Sequence, residues 1–190
     1  MMEGVKHYNF TGASGTGKTT ILNLMRTFLP EYEFRTEVVR NLVKEKGIKI
    51  NEQGTRETQE LVFMAYLDFL ILNKDKNYVS DRCIIDPLAY TILHVNARDI
   101  PREVLEYQWD IVRTMVKNGY LSKVYYFPIE FANVHDGVRS DDDDYRKETD
   151  AAIRGVLEGL KMYYPDKFDY ITVHGTPTER INQILEKEVM

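Results

Sequence analysis

The sequence GASGTGKT at residues 12–19 is the most informative part of the chain. It matches the pattern G-x-x-x-x-G-K-[ST] at all of its fixed positions. Residues 7–11 before it have the composition of a short strand, and apolar residues recur at helical spacing from Lys18 to Leu29 after it. A glycine-rich loop between a strand and a helix predicts a phosphate-binding loop, because its backbone N–H groups and the helix N-terminus attract an anion.

The side chains at the end of this loop have distinct roles. Lys18 reaches the outer phosphates of a nucleotide, and the Thr19 hydroxyl can ligate Mg²⁺. The loop therefore predicts a purine nucleotide and Mg²⁺, and the matching strand and helix disfavour a glycine-rich turn that binds nothing. The residues predicted to bind the nucleotide are Gly12, Ser14, Gly15, Thr16, Gly17, Lys18, Thr19 and Thr20.

Strand-like and helix-like segments alternate along the whole chain. The predicted strands are 7–11, 32–36, 78–80, 122–127 and 170–173, and the predicted helices are 18–29, 37–46, 55–72, 87–95, 101–117, 145–163 and 178–188. This alternation predicts an α/β, three-layer P-loop NTPase fold, with a parallel five-stranded sheet covered by helices on both faces. We expect a single domain over residues 1–190, with a lid at about 128–150. Ligands of such sheets bind beyond the carboxyl ends of the strands.

Composition limits the class of protein. Apolar residues make up 43% of the chain, and the formal net charge of -5 argues against a strongly basic nucleic-acid footprint. Cys83 is the one cysteine, which excludes an internal disulfide and a multi-cysteine metal site. We find no apolar signal segment and no run near the roughly 20 apolar residues that cross a bilayer. We therefore expect a cytoplasmic protein that does not contact the membrane.

Four blocks of sequence resemble the P-loop nucleoside/nucleotide kinase superfamily. Besides the loop, they are EVVR at 37–40, DRCIIDPLAY at 81–90 and DGVRS at 136–140. They are most similar to the AAA-like ATPase/kinase domain of the nicotinamide-riboside kinase part of the bacterial NAD regulator and of many phage proteins. Thymidylate kinases and deoxynucleoside kinases resemble the chain more distantly. The resemblance implies ATP-dependent phosphoryl transfer to a nucleoside, nucleotide or nucleoside-like acceptor.

The resemblance also implies which residues are catalytic. Asp81 would hold Mg²⁺ through water, and Arg82 would contact the acceptor. Glu37 resembles the deoxynucleoside-kinase base that takes the proton of the acceptor hydroxyl. Arg139, on the predicted lid, would stabilise charge on the transferring group. The predicted catalytic residues are thus Lys18, Glu37, Arg82 and Arg139, and the predicted metal ligands are Thr19 and Asp81.

A second set is predicted to bind the acceptor. Gln59 resembles the deoxynucleoside-kinase glutamine that reads a base edge, and Phe63 either stacks on a ring or belongs to the core. Arg40 either contacts substrate or is a solvated helix charge, and Arg146 would clamp phosphates from the lid. The predicted acceptor-binding residues are Glu37, Arg40, Gln59, Phe63, Arg82 and Arg146.

Some features remain open at this point. Asp86 is either part of the site or the N-cap of the following helix. The run at 141–144 is best explained as a solvated acidic turn that caps the next helix. Thymidylate kinases usually carry arginines where this chain has Thr36 and Leu67, so an ordinary thymidylate kinase is disfavoured.

Two alternative functions follow from the same residues. One is a kinase of a hydroxymethylated pyrimidine base in phage DNA, which a local basic groove would support. The other is a nucleotide-binding ATPase or GTPase switch without kinase activity, which an open surface in place of an acceptor cavity would favour. The predicted helix with Trp109 is either a homodimer face or core.

Overall fold

Five parallel strands form one sheet in the computed structural model, which describes residues 5–36, 38–132 and 142–186. The strands are β1 (His7–Thr11), β2 (Glu33–Arg35), β3 (Tyr78–Ser80), β4 (Lys123–Tyr126) and β5 (Asp169–Thr172). Their order is β2-β3-β1-β4-β5, so β1 is central. Asn9 of β1 is in register with Ser80 on one side and Val124 on the other. The five predicted strands and their parallel pairing are confirmed.

Seven α-helices lie in the described part of the chain. They are α1 (Lys18–Phe28), α2 (Val38–Lys46), α3 (Arg56–Leu72), α4 (Ile85–Asn96), α5 (Arg102–Lys117), α6 (Asp143–Tyr163) and α7 (Pro177–Glu186). A short 3₁₀ turn, Asn51–Gln53, precedes α3. The sequence places the start of α4 two residues too late, because Pro87 is tolerated in a first turn, whose N–H groups have no intrahelical acceptor. Of these helices, none is both long and apolar enough to cross a membrane.

The sheet separates two apolar cores. Tyr8 and Phe10 of β1 pack on one face, together with buried residues of α1 and α7. Tyr78 and Val124 face the other side, where α3, α4, α5 and α6 supply the remaining core residues. Side chains of a strand alternate between its two faces, so β3 contributes Tyr78 and Val79 to opposite cores, and β4 does the same with Val124 and Tyr125. The predicted three-layer fold, with helices on both faces, is confirmed.

The edge of the fold formed by β2 and α2 buries little surface. The helix α2 has no buried residue, and the edge strand β2 is only three residues long. The contacts of α2 with the rest of the fold are mainly with α3. The segment that follows β2 belongs to this edge, and it begins at the carboxyl end of the sheet, where ligands of such folds bind.

Candidate active site

The phosphate-loop motif connects β1 to α1, as the sequence predicts. Gly12 is at φ +143°, and a Cβ on this residue would lie 2.3 Å from the carbonyl oxygen of Phe127. The Phe127 N–H donates to the Thr11 carbonyl at 2.9 Å, so β1 and β4 are joined at this point. Glycine is required here, because any side chain would meet backbone that cannot easily move.

The Lys18 side chain lies inside the loop. It is only 5% exposed, and its Nζ donates to the carbonyl oxygens of Gly12 at 2.8 Å and Ala13 at 2.6 Å and to Thr16 Oγ1 at 3.1 Å. A buried ammonium at the N-terminus of α1 adds to the positive potential of the loop. The loop therefore presents a concentrated positive charge to an anion.

Thr19 and Asp81 meet beside the loop. The Thr19 hydroxyl donates a short hydrogen bond to the Asp81 carboxylate, which follows β3. A hydroxyl and a carboxylate are hard oxygen donors that suit Mg²⁺, which commonly takes few protein ligands and completes its shell with phosphate and water. Among the described residues, no group of three or more His, Cys, Asp or Glu side chains is arranged to hold a metal. The two predicted ligands thus fit a magnesium ion shared with a nucleotide.

Arg82 is held in a constrained conformation. Its backbone has φ 76°, which is unusual for a residue other than glycine, and the Ser80 hydroxyl donates to its carbonyl at 2.7 Å. Its guanidinium donates to Asp86 Oδ1 at 2.8 Å and to the Gly12 carbonyl at 3.3 Å. The arginine is therefore aimed at the phosphate loop.

Asp86 is not the N-cap of α4. The N-cap position is Ile84, and the Asp86 carboxylate accepts from the Cys83 N–H at 2.9 Å as well as from Arg82. That interpretation is wrong, because α4 begins at Ile85. Asp86 instead fixes the direction of the Arg82 guanidinium.

A single cavity joins these groups to a second set of side chains. It has a volume of about 250 Å³. One end is formed by the phosphate loop and Asp81, and the other end carries both polar and apolar side chains. Arg82 and Asp86 lie next to the loop, and the other lining residues are Val38, Val39, Arg40, Ile50, Asn51, Thr58, Gln59, Val62, Tyr66, Pro87 and Tyr90.

The wall opposite the loop is built around Gln59. Gln59 is 5% exposed, and Gly54 is packed so closely that a Cβ there would lie 2.7 Å from Gln59 Nε2 and 2.9 Å from His94 Nε2. His94 Nε2 is 3.0 Å from the carbonyl of Asn51, which holds the 3₁₀ turn in place. Burial and the nearby Asp86 carboxylate raise the pKa of Tyr66 above its usual range, so its hydroxyl stays protonated in the cavity.

Two predicted acceptor-binding residues lie elsewhere. Phe63 is fully buried, contacts Tyr107 and does not line the cavity. Of its two interpretations, the structure therefore favours a core residue over one that stacks on a substrate ring. Arg146 lies against the outside of the phosphate loop, where its Nε donates to the Ser14 carbonyl at 2.8 Å. Arg40 and Thr20, in contrast, do line the cavity.

Two predicted catalytic residues, Glu37 and Arg139, lie outside the described residues, as does the middle of the predicted lid, residues 133–141. The end of the acidic run is described. Asp142 is the N-cap of α6 and accepts from the backbone N–H groups of Asp144 at 2.8 Å and Tyr145 at 3.1 Å. The acidic run therefore caps the next helix, as predicted, but not through its last residues, because α6 begins at Asp143.

The sequence missed an ion-pair network beside the loop. Arg180 of α7 is 1% exposed and donates to the Thr16 carbonyl at 2.6 Å and to the carboxylate of Glu130. Glu130 also accepts from His174 Nδ1 at 2.7 Å and from the Gly175 N–H at 3.0 Å. The sequence contains one indication of this network. Arg180 lies four residues before Ile184, on the apolar face of the last helix, where a charged residue is unexpected.

This network predicts a pH-dependent stability. Burial alone would raise the pKa of Glu130, but hydrogen bonds from His174, Arg180 and Gly175 outweigh it and lower the pKa from 4.5 to about 2. The carboxylate therefore stabilises the fold fully above about pH 5 and loses this effect as the pH falls toward 2. Replacing Glu130 with glutamine is expected to lower the free energy of unfolding by about 2 kcal/mol at pH 7.

Urea denaturation of both proteins at several pH values measures this effect. The difference between wild type and Glu130→Gln should shrink as the pH is lowered from 5 to 2.5, and a constant difference would contradict the assignment. Glu106→Gln is the control, because Glu106 forms an exposed ion pair with Arg102. Such a pair contributes less than about 1 kcal/mol.

Several solved structures share the fold of this chain over nearly its whole length. Solved structures with the same fold include a deoxyadenosine kinase from M. mycoides with bound dATP (TM-score 0.66, 16% identity, 97% of this chain and 99% of that chain). They also include the NadR protein in complex with NR (0.74, 16%, 98% and 52%) and a thymidylate kinase from Ehrlichia chaffeensis (0.62, 16%, 99% and 100%). The chain thus shares its fold with these solved structures of kinases and of NadR.

The family model of an AAA domain matches residues 7–180, and the chain belongs to this family. The match begins with β1 and ends at Arg180 on α7, so it contains the phosphate loop and all the described residues of the cavity. Among curated proteins, none matches the sequence. The resemblance seen in the sequence is confirmed at the level of family and fold.

Proposed function

We propose that the protein is an ATP- and Mg²⁺-dependent phosphotransferase that acts on a nucleoside-like small molecule. The observation that carries this proposal is the single cavity of about 250 Å³, which is lined by the phosphate loop, by Arg82 beside that loop, and by Gln59 and Tyr66 of α3. A nucleotide switch needs the phosphate loop only. A polar compartment that opens onto the phosphate loop is what a kinase needs to place an acceptor in line with the γ-phosphate.

The charged and hydroxyl side chains near the phosphate loop have distinct parts in this reaction. The loop N–H groups and Lys18 bind the phosphates of ATP, and Thr19 and Asp81 hold Mg²⁺, which would neutralise charge on those phosphates when bound. Arg82 stabilises charge as the bond from the γ-phosphorus to ADP breaks and the bond to the acceptor oxygen forms. By its resemblance to deoxynucleoside kinases, Glu37 takes the proton of the acceptor hydroxyl.

The side chains that line the cavity favour a small acceptor with a planar base. Gln59 offers a donor and an acceptor on one amide, which is how an amide reads the edge of a planar base. Tyr66 offers a neutral hydroxyl, and Pro87 and Val62 supply apolar surface. A base in DNA would have to be extruded from its duplex to enter, at the cost of a few kcal/mol of stacking and pairing.

The test is a transfer assay with γ-labelled ATP. The acceptors offered are ribo- and deoxynucleosides, deoxynucleoside monophosphates, nicotinamide riboside and DNA that contains hydroxymethyluracil. Label in a small-molecule acceptor would support the proposal and identify its branch. Label in the DNA would favour the base kinase. Label released only as free phosphate would overturn the proposal and favour the switch.

Substitution of Gln59 is the most specific test of the proposed acceptor site. Gln59→Leu keeps the size of the side chain but removes its hydrogen bonds, so the KM for the acceptor is expected to rise roughly 10- to 100-fold while the KM for ATP stays within about twofold. Steady-state kinetics with each substrate varied in turn measures both. Gln53→Leu is the control, because Gln53 is exposed in the neighbouring turn and does not line the cavity. An equal rise in both KM values would remove Gln59 from the acceptor site.

A further inference from the structure

The carbonyl oxygens of the phosphate loop are bound by cationic side chains. Lys18 donates to the carbonyls of Gly12 and Ala13, Arg146 to that of Ser14 at 2.8 Å, and Arg180 to that of Thr16 at 2.6 Å. In a planar trans peptide the C=O and the following N–H point in opposite directions. A cation that holds the Thr16 carbonyl therefore also fixes the direction of the Gly17 N–H.

Arg180 is held more firmly than a surface arginine could be. Its guanidinium carbon lies 5.4 Å from the ring centroid of Phe127 and 5.0 Å from that of Phe131. Its Nε donates to the Gly175 carbonyl at 2.9 Å, and its Nη2 donates to Glu130. A guanidinium is planar and carries five N–H donors in a fixed arrangement, so these partners determine where its remaining N–H groups point.

The loop itself leaves space for this arginine. A Cβ on Gly17 would lie 3.2 Å from Arg180 Nη1, so a glycine at this position allows the guanidinium to approach the loop closely. Arg180 is not among the described residues that line the cavity. It therefore contacts the Thr16 carbonyl from outside this cavity.

We propose that Arg180 is a positioning residue for phosphate binding: by holding the Thr16 carbonyl, it directs the Gly17 N–H toward the nucleotide phosphates. This inference rests on the proposed nucleotide-binding function of the loop. It concerns a residue at the far end of the chain, 164 positions from Thr16. A hydrogen bond to a charged group loses much of its effect when the charge is removed, so the loop of a neutral variant is less well oriented for an anion.

Direct binding of ATP in the presence of Mg²⁺, followed by calorimetry, tests the role. Arg180→Gln removes the charge and is expected to weaken ATP binding roughly 10- to 100-fold. Arg180→Lys keeps the buried charge but cannot serve Thr16, Gly175 and Glu130 together, so a smaller loss of about three- to tenfold is expected. Arg113→Gln makes the same change as Arg180→Gln on the exposed face of α5, and it should leave the affinity within about twofold.

Inorganic tripolyphosphate separates positioning of the loop from a merely structural role. It lacks a base and a sugar, and its affinity should fall in Arg180→Gln by the same factor as that of ATP. If ATP binding weakens and tripolyphosphate binding does not, Arg180 acts through the Gly175 segment, and the proposal is overturned. Wild-type affinity for ATP in a folded Arg180→Gln protein overturns it as well.

Two further outcomes concern the folding of the variants and ligand binding by the wild-type protein. Thermal unfolding without ligand shows whether each variant folds. If Arg180→Gln does not fold, Arg180→Lys decides, and wild-type ATP affinity in that variant overturns the inference. If the wild-type protein itself binds neither ATP nor tripolyphosphate, the proposed nucleotide-binding function fails, and this inference fails with it.

Discussion

Replacing Lys18 with alanine is expected to weaken ATP binding roughly 100-fold and to reduce phosphoryl transfer by a further factor of about 10²–10³. The variant removes the ammonium that is buried inside the loop and bonded to the Gly12 and Ala13 carbonyls. It therefore removes both a charge for the phosphates and a constraint on the direction of the loop peptides. Equilibrium titration with ATP and a γ-label transfer assay measure the two effects separately.

Two further variants make the Lys18 result specific. Lys18→Met keeps most of the length of the side chain, so a loss as large as that of Lys18→Ala would assign the effect to the charge. Lys117→Ala removes an exposed lysine from the end of α5 and should change neither quantity by more than about twofold. ATP affinity in Lys18→Ala equal to that of wild type would remove the phosphate-loop assignment.

Replacing Gly12 with alanine is expected to lower the free energy of unfolding by about 4 kcal/mol, and with it the melting temperature by roughly 10 °C. The new Cβ would lie 2.3 Å from the Phe127 carbonyl oxygen and 3.2 Å from its carbonyl carbon, at a φ of +143° that disfavours alanine. Relief requires β1 and β4 to move apart at the hydrogen bond that joins them. The loop that starts there would lose its shape, so ATP affinity should fall in the same variant.

Gly155→Ala is the matched control for this substitution. Gly155 lies inside α6, and a Cβ there would have no neighbour within 4 Å. Alanine in an exposed helix interior is expected to raise the free energy of unfolding by roughly 0.5–1 kcal/mol. Calorimetric melting of the two variants checks both signs, and a Gly12→Ala protein as stable as wild type would contradict the close contact described above.

Local patterns predicted the fold because each element carries its own signal. The loop motif fixed the junction between β1 and α1, and the alternation of apolar segments predicted the five parallel strands and the helices on both faces. Errors were confined to boundaries. The start of α4 was misplaced, since nothing in the sequence distinguishes a proline in the first helical position from one further into the first turn.

The site was predictable only where a motif carries the chemistry. Lys18, Thr19 and Asp81 lie together as expected, and Gln59 reaches the same cavity from α3. Arg180 and Glu130 come from segments far from the loop in sequence, and no spacing relates them to it. Phe63 and Tyr66 both lie on the inner side of α3, and only the packing of neighbouring helices places Tyr66 at the cavity and Phe63 in the core.

The weakly buried helix α2 has a consequence for how this protein could diversify. Val38, Val39 and Arg40 line the cavity, yet α2 has no buried residue. Val38, Val39 and Leu42 pack against one core but are only partly buried. Substitutions there therefore alter the surroundings of the proposed acceptor and leave smaller voids than substitutions of fully buried residues.

The phosphate loop starts in close contact with the end of β4, and its carbonyl oxygens are bound by the buried cations Lys18, Arg146 and Arg180. Substitutions in the loop are therefore expected to be poorly tolerated. Selectivity for the acceptor can therefore evolve at a small cost in stability, while the donor end stays constant.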